Sequence, residues 1–150
     1  QNKSIPLYAK SFVQPEEEGT VIQESTENDT LIPSFIFKVN QVLISISPKD
    51  FSFIGESNLR DIFAAFHRNK VKINLMQNSA ISFSACVGGD RHRIDELISE
   101  LSFNYTVRYN DDVELVTIRH YDQATIDRVT KGKEILVEQK SRETARYVMK

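Results

Sequence analysis

Between residues 42 and 109 the apolar side chains switch between two spacings, and this succession constrains the fold more than any other feature of the chain. Val42, Ile44 and Ile46 alternate with polar neighbours, the period-two signature of a strand with one buried face. Leu59, Ile62, Phe63 and Phe66 fall at i, i+3, i+4 and i+7, one apolar stripe of a helix. Ser57 is the expected N-cap of that helix, with Asp61 placing negative charge near its N-terminus. Val71, Ile73 and Leu75 alternate again, Gln77-Asn78-Ser79 turns, and Ile81, Phe83 and Ala85 return as a strand. Gly88-Gly89-Asp90 ends in a second N-cap, before the helical stripe Ile94, Leu97, Ile98 and Leu101. Tyr105, Val107 and Tyr109 close the series as a strand.

The resulting order, β-α-β-β-α-β, is that of the ferredoxin-like unit, and the class is α+β. The flanking segments repeat part of it. Val113 to His120 predicts a strand, Asp122 caps a short helix carrying Ile126 and Val129, and Gly132 suits its C-terminal turn. Residues 134–138 and 144–148 predict two more strands. This second unit lacks a final helix and strand, and the separate strand predicted at 34–39 is available to complete it. The expected division is residues 1–30 as a tail and linker, 42–109 as one complete unit, and 33–41 plus 110–150 as a permuted, shortened one. Within the tail, residues 5–12 predict a strand, residues 15–20 an acidic turn, and residues 23–30 a polar linker. The tail reads as the end of something larger.

Composition removes several functions. Nineteen basic and twenty-one acidic side chains give a net charge of −2, whereas a nucleic-acid binder usually presents a basic face. The five glycines are too scattered for a phosphate-binding loop. The single cysteine, Cys86, forms no internal disulfide and reads as a small buried hydrophobe. No apolar run approaches a membrane span, and no signal peptide precedes Ile5, so a cytoplasmic protein with no membrane partner is expected. His67, His92 and His120 lack metal-ligand spacing, so no metal site is expected. Arg91-His92-Arg93 and Glu16-Glu17-Glu18 read as solvated charge, with anion or cation binding the less economical alternative. No nucleophile–base pair stands out, and no catalytic residue is assigned.

The remaining candidate surrounds Gly55 and Asn74. Gly55 lies in the first strand-to-helix loop, where a backbone without Cβ lets a small ligand approach. The helix that follows offers free N–H groups to a carboxylate. Asn74, Gln77, Asn78 and Ser79 supply amides and a hydroxyl, a mixture suited to a zwitterion. A turn glycine and a plain hairpin explain the same residues without a ligand.

Several of these segments resemble aspartokinases, the kinases that phosphorylate aspartate. Ile5-Pro6, Lys10, Pro15 and Gly19-Thr20-Val21-Ile22 are similar to the motif closing their catalytic domain. Residues 42–87 are similar to their first ACT regulatory domain, and the run from Ile135 to Ser141, followed by residues 144–148, to their C-terminal end. The resemblance implies a parent enzyme that uses ATP and magnesium, its active site upstream of these residues, with no cofactor in this part. It implies tandem ACT domains whose sheets pair in a homodimer and bind an end-product amino acid that inhibits the kinase. Carried over by position, the effector site falls on Phe51, Ser52, Phe53, Ile54 and Gly55, on Lys72, Ile73 and Asn74, on Gln77, and on Ser79, Ala80 and Ile81. Lysine is the first effector implied and threonine the second. Lysine-sensitive relatives carry acids where Asn74 and Ala80 stand here. The alternative is a structural dimerisation module that binds no ligand.

Overall fold

The computed structural model describes residues 5–22 and 33–150. The linker expected at residues 23–30 lies outside the described residues. The chain forms two compact units, Gln1–Ile32 and Pro33–Lys150.

In the first unit β1 (Leu7–Ala9) pairs antiparallel with β2 (Thr20–Ile22), Leu7 facing Ile22 and Ala9 facing Thr20. The strand expected over residues 5–12 is shorter, because the Ser11 hydroxyl accepts the N–H groups of Val13 and Gln14 and bends the chain. Gly19 adopts φ +74°, and a Cβ there would stand 2.4 Å from the Ala9 carbonyl oxygen. Only glycine closes this ribbon without moving backbone.

The second unit contains β3 (Ser34–Pro48), α1 (Glu56–Arg68), β4 (Lys72–Asn78), β5 (Phe83–Gly88), α2 (Arg91–Leu101), β6 (Tyr105–Arg119), α3 (Gln123–Thr130), β7 (Ile135–Lys140) and β8 (Thr144–Met149). The six strands form one antiparallel sheet in the order β4-β5-β3-β6-β8-β7.

Two pairs of expected strands are fused. Residues 34–39 and 42–47 belong to β3, and residues 105–109 and 113–119 belong to β6. The breaks between them survive as local kinks. Asn40 and Asp112 have φ +54° and +56°, a region that Asn and Asp tolerate better than other L-residues. The β3–β6 ladder slips at the same place, pairing Lys38 with Leu115, then Gln41 with Val113, then Leu43 with Asn110. On one side of the kinks lie β4, β5, residues 42–48 and residues 105–110, with α1 and α2 against one face. On the other lie residues 34–38, residues 114–119, β8 and β7, with α3 beside them.

Alternation assigns each side chain to a face. Ile44, Ile46, Phe83, Ala85 and Val87 meet Ile62, Phe66, Ile94 and Leu97 in the largest buried cluster. Phe83 stands edge-on to Phe63 and Phe66 at 5.5 and 6.5 Å. Val116, Ile118, Ala145 and Tyr147 pack with Ile126 of α3 in a smaller cluster. A third cluster occupies the face away from α1 and α2. It joins Leu43, Leu75 and Cys86 to Val113, Leu115, Val137 and Val148, so the sheet curls around it. The curl brings the terminal strands β4 and β7 together, with Gln139 Nε2 donating to the Met76 carbonyl at 2.6 Å.

Two caps behave as expected. Asp90 accepts from the His92 N–H and Asp122 from the Thr125 N–H. The third does not: α1 is capped at Gly55 rather than Ser57, with Asn58 Oδ1 accepting the Gly55 N–H at 3.0 Å. An Asn three residues after the cap closes the same reciprocal bond that Glu or Gln makes in a capping box. The hairpin turn also sits later than expected. β4 continues to Asn78, and Ser79 with Ser82 closes the turn.

Candidate functional site

The expected site residues separate into two groups along β4. The first forms where the loop after β3 meets the β4–β5 hairpin. The Ile54 N–H donates to the Ala80 carbonyl at 2.8 Å, fastening loop to hairpin, and the Ile54 side chain enters the large core. Earlier in the loop the Ser52 N–H donates to Asp50 Oδ1. Hydrogen bonds from the Ser52 side chain and backbone hold the Asp50 carboxyl below the usual carboxylate range. Phe51 and Phe53 are exposed, as is Ile81 across the hairpin. Gly55 begins α1, whose first-turn N–H groups have no intrahelical acceptor. A Cβ at Gly55 would find only Asn58 Oδ1, 3.9 Å away. Among the described residues nothing stands close enough to demand glycine there.

The second group, Lys72, Ile73 and Asn74, lies at the other end of β4. Five to seven residues of extended strand separate it from Ser79, roughly 17–23 Å. One copy of the chain therefore does not gather both groups around one amino acid. Asn74 is bound on every side. Its Oδ1 accepts from Lys38 Nζ at 2.7 Å, its Nδ2 donates to Gln41 Oε1 at 2.8 Å, and its carbonyl accepts from Arg146 Nη2 at 2.6 Å. Gln41 is buried and its Nε2 donates to the Val39 carbonyl. Gly88 makes room for it, since a Cβ at Gly88 would stand 2.6 Å from the Gln41 amide. These residues knit both sides of the kinked sheet to β4.

Gln77 faces neither group. It lines a cleft of about 440 Å³ with Glu138, Gln139, Lys140, Ser141, Thr144 and Arg146. The Lys38–Gln41–Asn74–Arg146 cluster was not legible in sequence, because its members come from three strands that only the curl brings together. A weak signal existed in Gln41, a polar residue opening an apolar strand.

Of the other charged candidates, the Arg91-His92-Arg93 cluster is occupied within the chain. Arg91 pairs with Asp95 and Asp111 and lies over the Tyr109 ring, and Arg93 faces Asp90. Residues 16–18 are exposed. Cys86 is buried as expected, and burial pushes its thiol up to about 11. Among the described residues no three His, Cys, Asp or Glu side chains converge, and no helix is long and apolar enough to cross a membrane.

No protein-family profile and no curated protein sequence matches the chain. Solved structures do. Aspartate kinase from Clostridium acetobutylicum superposes with TM-score 0.78 at 16% identity, over 98% of this chain and 38% of that one. Aspartokinase III from E. coli, in complex with lysine and aspartate, gives TM-score 0.73 at 18% identity, over 97% and 35%. The regulatory subunit of aspartate kinase from Thermus flavus gives TM-score 0.56 at 10% identity, over 77% and 86%. This chain thus spans little more than a third of the length of the two enzymes and most of the length of the regulatory subunit. Its fold, a curled antiparallel sheet built from ACT-type ferredoxin-like units, is the fold shared by aspartokinases and their regulatory subunits.

Proposed function

We propose that this chain is the regulatory part of an aspartokinase and that it binds an aspartate-family amino acid, lysine first and threonine second. The observation that carries the reading is the superposition on a regulatory subunit over most of both chains, joined to the loop–hairpin contact at Ile54 and Ala80. Gly55 fits the same reading. It caps α1 and leaves open space above that helix N-terminus. An α-carboxylate is suited to those N–H groups. Asp50, Ser52, Asn58 and Asp61 line an adjoining cleft of about 270 Å³ together with Lys49, and its two carboxylates, Asp61 paired with Arg60, suit the second ammonium of lysine. This supports lysine although Asn74 and Ala80 stand where lysine-sensitive relatives carry acids.

The parent enzyme in this reading uses ATP and magnesium upstream, in the cytoplasm, and the effector biases it between two arrangements. Such coupling is typically about 1–3 kcal/mol. A homodimer supplies what one copy lacks, since Lys72–Asn74 of one chain can approach the loop of another. Among the described residues, 34–38 have β6 as their one strand neighbour and expose Ile36 and Phe37, which leaves that edge for a partner. Residues 1–30 complete the kinase domain in this division. The apolar side chains of β1 and β2 are exposed, and a two-stranded ribbon is marginal by itself.

Titration calorimetry with lysine and then threonine tests the reading. Saturable heat with either, lost in Gly55→Ala, supports it; no heat with any aspartate-family amino acid removes it. Asn74 favours the second reading, dimerisation without a ligand, because its amide is consumed by Lys38 and Gln41. Under that reading Asn74→Ala lowers stability and leaves the feedback response of the full-length enzyme unchanged.

A further inference from the structure

The sheet face turned away from α1 and α2 holds a second concavity, whose rim shares Phe51 and Ile81 with the expected effector residues. Near the loop end it forms a groove of about 620 Å³ lined by Ser45, Ser47, Thr106, Arg108, Phe51 and Ile81, with Pro48, Lys49 and Ser82 at its margins. That volume is in the range of small-molecule sites. Arg108 lies opposite Ser45, and Thr106 opposite Ser47, on the β3–β6 ladder. The polar side chains lining the groove are therefore hydroxyls and cations, and no carboxylate lines it. Lys49 donates to the Phe103 carbonyl. The Arg108 guanidinium makes no ion pair or hydrogen bond among the described residues.

The apolar rim is unusual as well. Phe51 is 92% exposed and sits at φ +60°, a left-handed conformation that bulky L-residues rarely adopt. Backbone strain of this kind concentrates where a ligand or partner uses the side chain. An exposed ring held in a strained loop, lining one groove with Ile81, Pro48 and an unpaired guanidinium, fits a ligand with a flat apolar body and one anionic group. Guanidinium binds carboxylate or phosphate through two parallel hydrogen bonds, and serine and threonine hydroxyls add donors.

We infer that this groove is a binding site for a small organic anion, carboxylate or phosphate, whose apolar body lies against Phe51 and Ile81 while its charge meets Arg108. Ser45, Ser47, Thr106 and Arg108 lie outside the expected effector residues, so the seat of the anionic group is distinct from the first turn of α1, while the rim residues Phe51 and Ile81 belong to both.

Amide chemical-shift titrations of the full chain with benzoate, phenyl phosphate and neutral benzamide test it. Saturable shifts at Ser45, Ser47, Thr106 and Arg108 are expected with at least one anion, and which anion binds identifies the anionic group. Arg108→Gln, at an exposed position, should weaken that binding at least tenfold without altering the rest of the spectrum. Phe51→Gly relieves the backbone and should weaken binding several-fold while the protein becomes no less stable. The inference is overturned if neither anion shifts these amides at millimolar concentration, if benzamide shifts them equally, or if Arg108→Gln binds as well as the parent chain. Shifts with lysine at Gly55 and Ala80 report the other site, so either site can fail alone.

Discussion

The two sides of the kinked sheet carry unequal cover. The side built on β4 and β5 rests on α1 and α2, of 13 and 11 residues, and its core includes Phe83, Ile44, Ile62 and Leu97. The side built on β7 and β8 has α3, eight residues long, and a smaller cluster around Tyr147 and Ile118. The difference teaches that the second side does not stand on its own helix. It shares β3 and β6 with the first and shares the cluster inside the curl. Burial of apolar surface is the main driving force of folding, so most of the stabilising surface belongs to the first side and is transmitted through the two long strands.

The sharpest way to break this comparison is to empty the larger core. Phe83→Ala removes a ring that meets Phe63 and Phe66 and should cost about 3–5 kcal/mol in urea denaturation. Hydrogen exchange should show β7 and β8 losing protection together with β5. Retained protection in β7 and β8 would separate the two sides.

Cys86 probes the shared cluster by pH. Its thiol is held neutral by burial, with a folded value of about 11 against an ordinary 9.0. A raised acid favours the folded state fully below the ordinary value and loses that advantage as pH rises from 9 to 11. The loss should be about 2–3 kcal/mol. Tyrosines and lysines titrate in the same range, so the measurement is the difference in slope between the parent chain and Cys86→Ala. Equal slopes would place Cys86 outside the cooperative core.

Gly88→Ala tests the fastening between the sides. A Cβ there must displace the Gln41 amide and with it the bond to Asn74. Leaving such groups unpaired should cost about 1–3 kcal/mol. Smaller still, Asn40→Val places a β-branched residue at φ +54° and should cost about 1–2 kcal/mol, whereas Asn40→Gly should be close to neutral. Thermal denaturation of the pair distinguishes a required kink from an incidental one. Least in stability is Gly55→Ala, expected to cost under about 1 kcal/mol as a cap change while abolishing effector binding by calorimetry. Its stability and binding effects should separate, unlike those of any core substitution.

Much of the fold was legible from spacing, and the failures have definite causes. Most strands and helices of the second unit coincide with a run of period two or 3.6, because faces are fixed by local geometry, while β7 opens on the continuous apolar run Ile135-Leu136-Val137. Reading β3 as two strands followed from the polar Asn40-Gln41 interruption. Two αL-tolerant residues, Asn40 and Asp112, let the ladder cross that interruption with a slip instead of ending. Ser57 carries a good capping side chain, yet the chain uses Gly55, because the Ile54 N–H is held by Ala80 and the Asn58 side chain reaches the Gly55 N–H. The loop and hairpin parts of the candidate site come together within one copy, and Asn74 does not join them.

Sequence by itself determined the α+β class, the order of the elements, the buried Cys86 and the two aspartate caps, since each rests on residues within a few positions of one another. Tertiary structure alone decided the fusion of the strands, the curl, the binding of Asn74 by Lys38, Gln41 and Arg146, and the groove where Arg108 meets Ser45. The Asn74 contacts and the Arg108–Ser45 pair join residues 33 to 72 positions apart, and the β3–β6 ladder reaches further still, from Ser34 to Arg119. Their geometry depends on strand register and sheet curvature, which local periodicity does not encode.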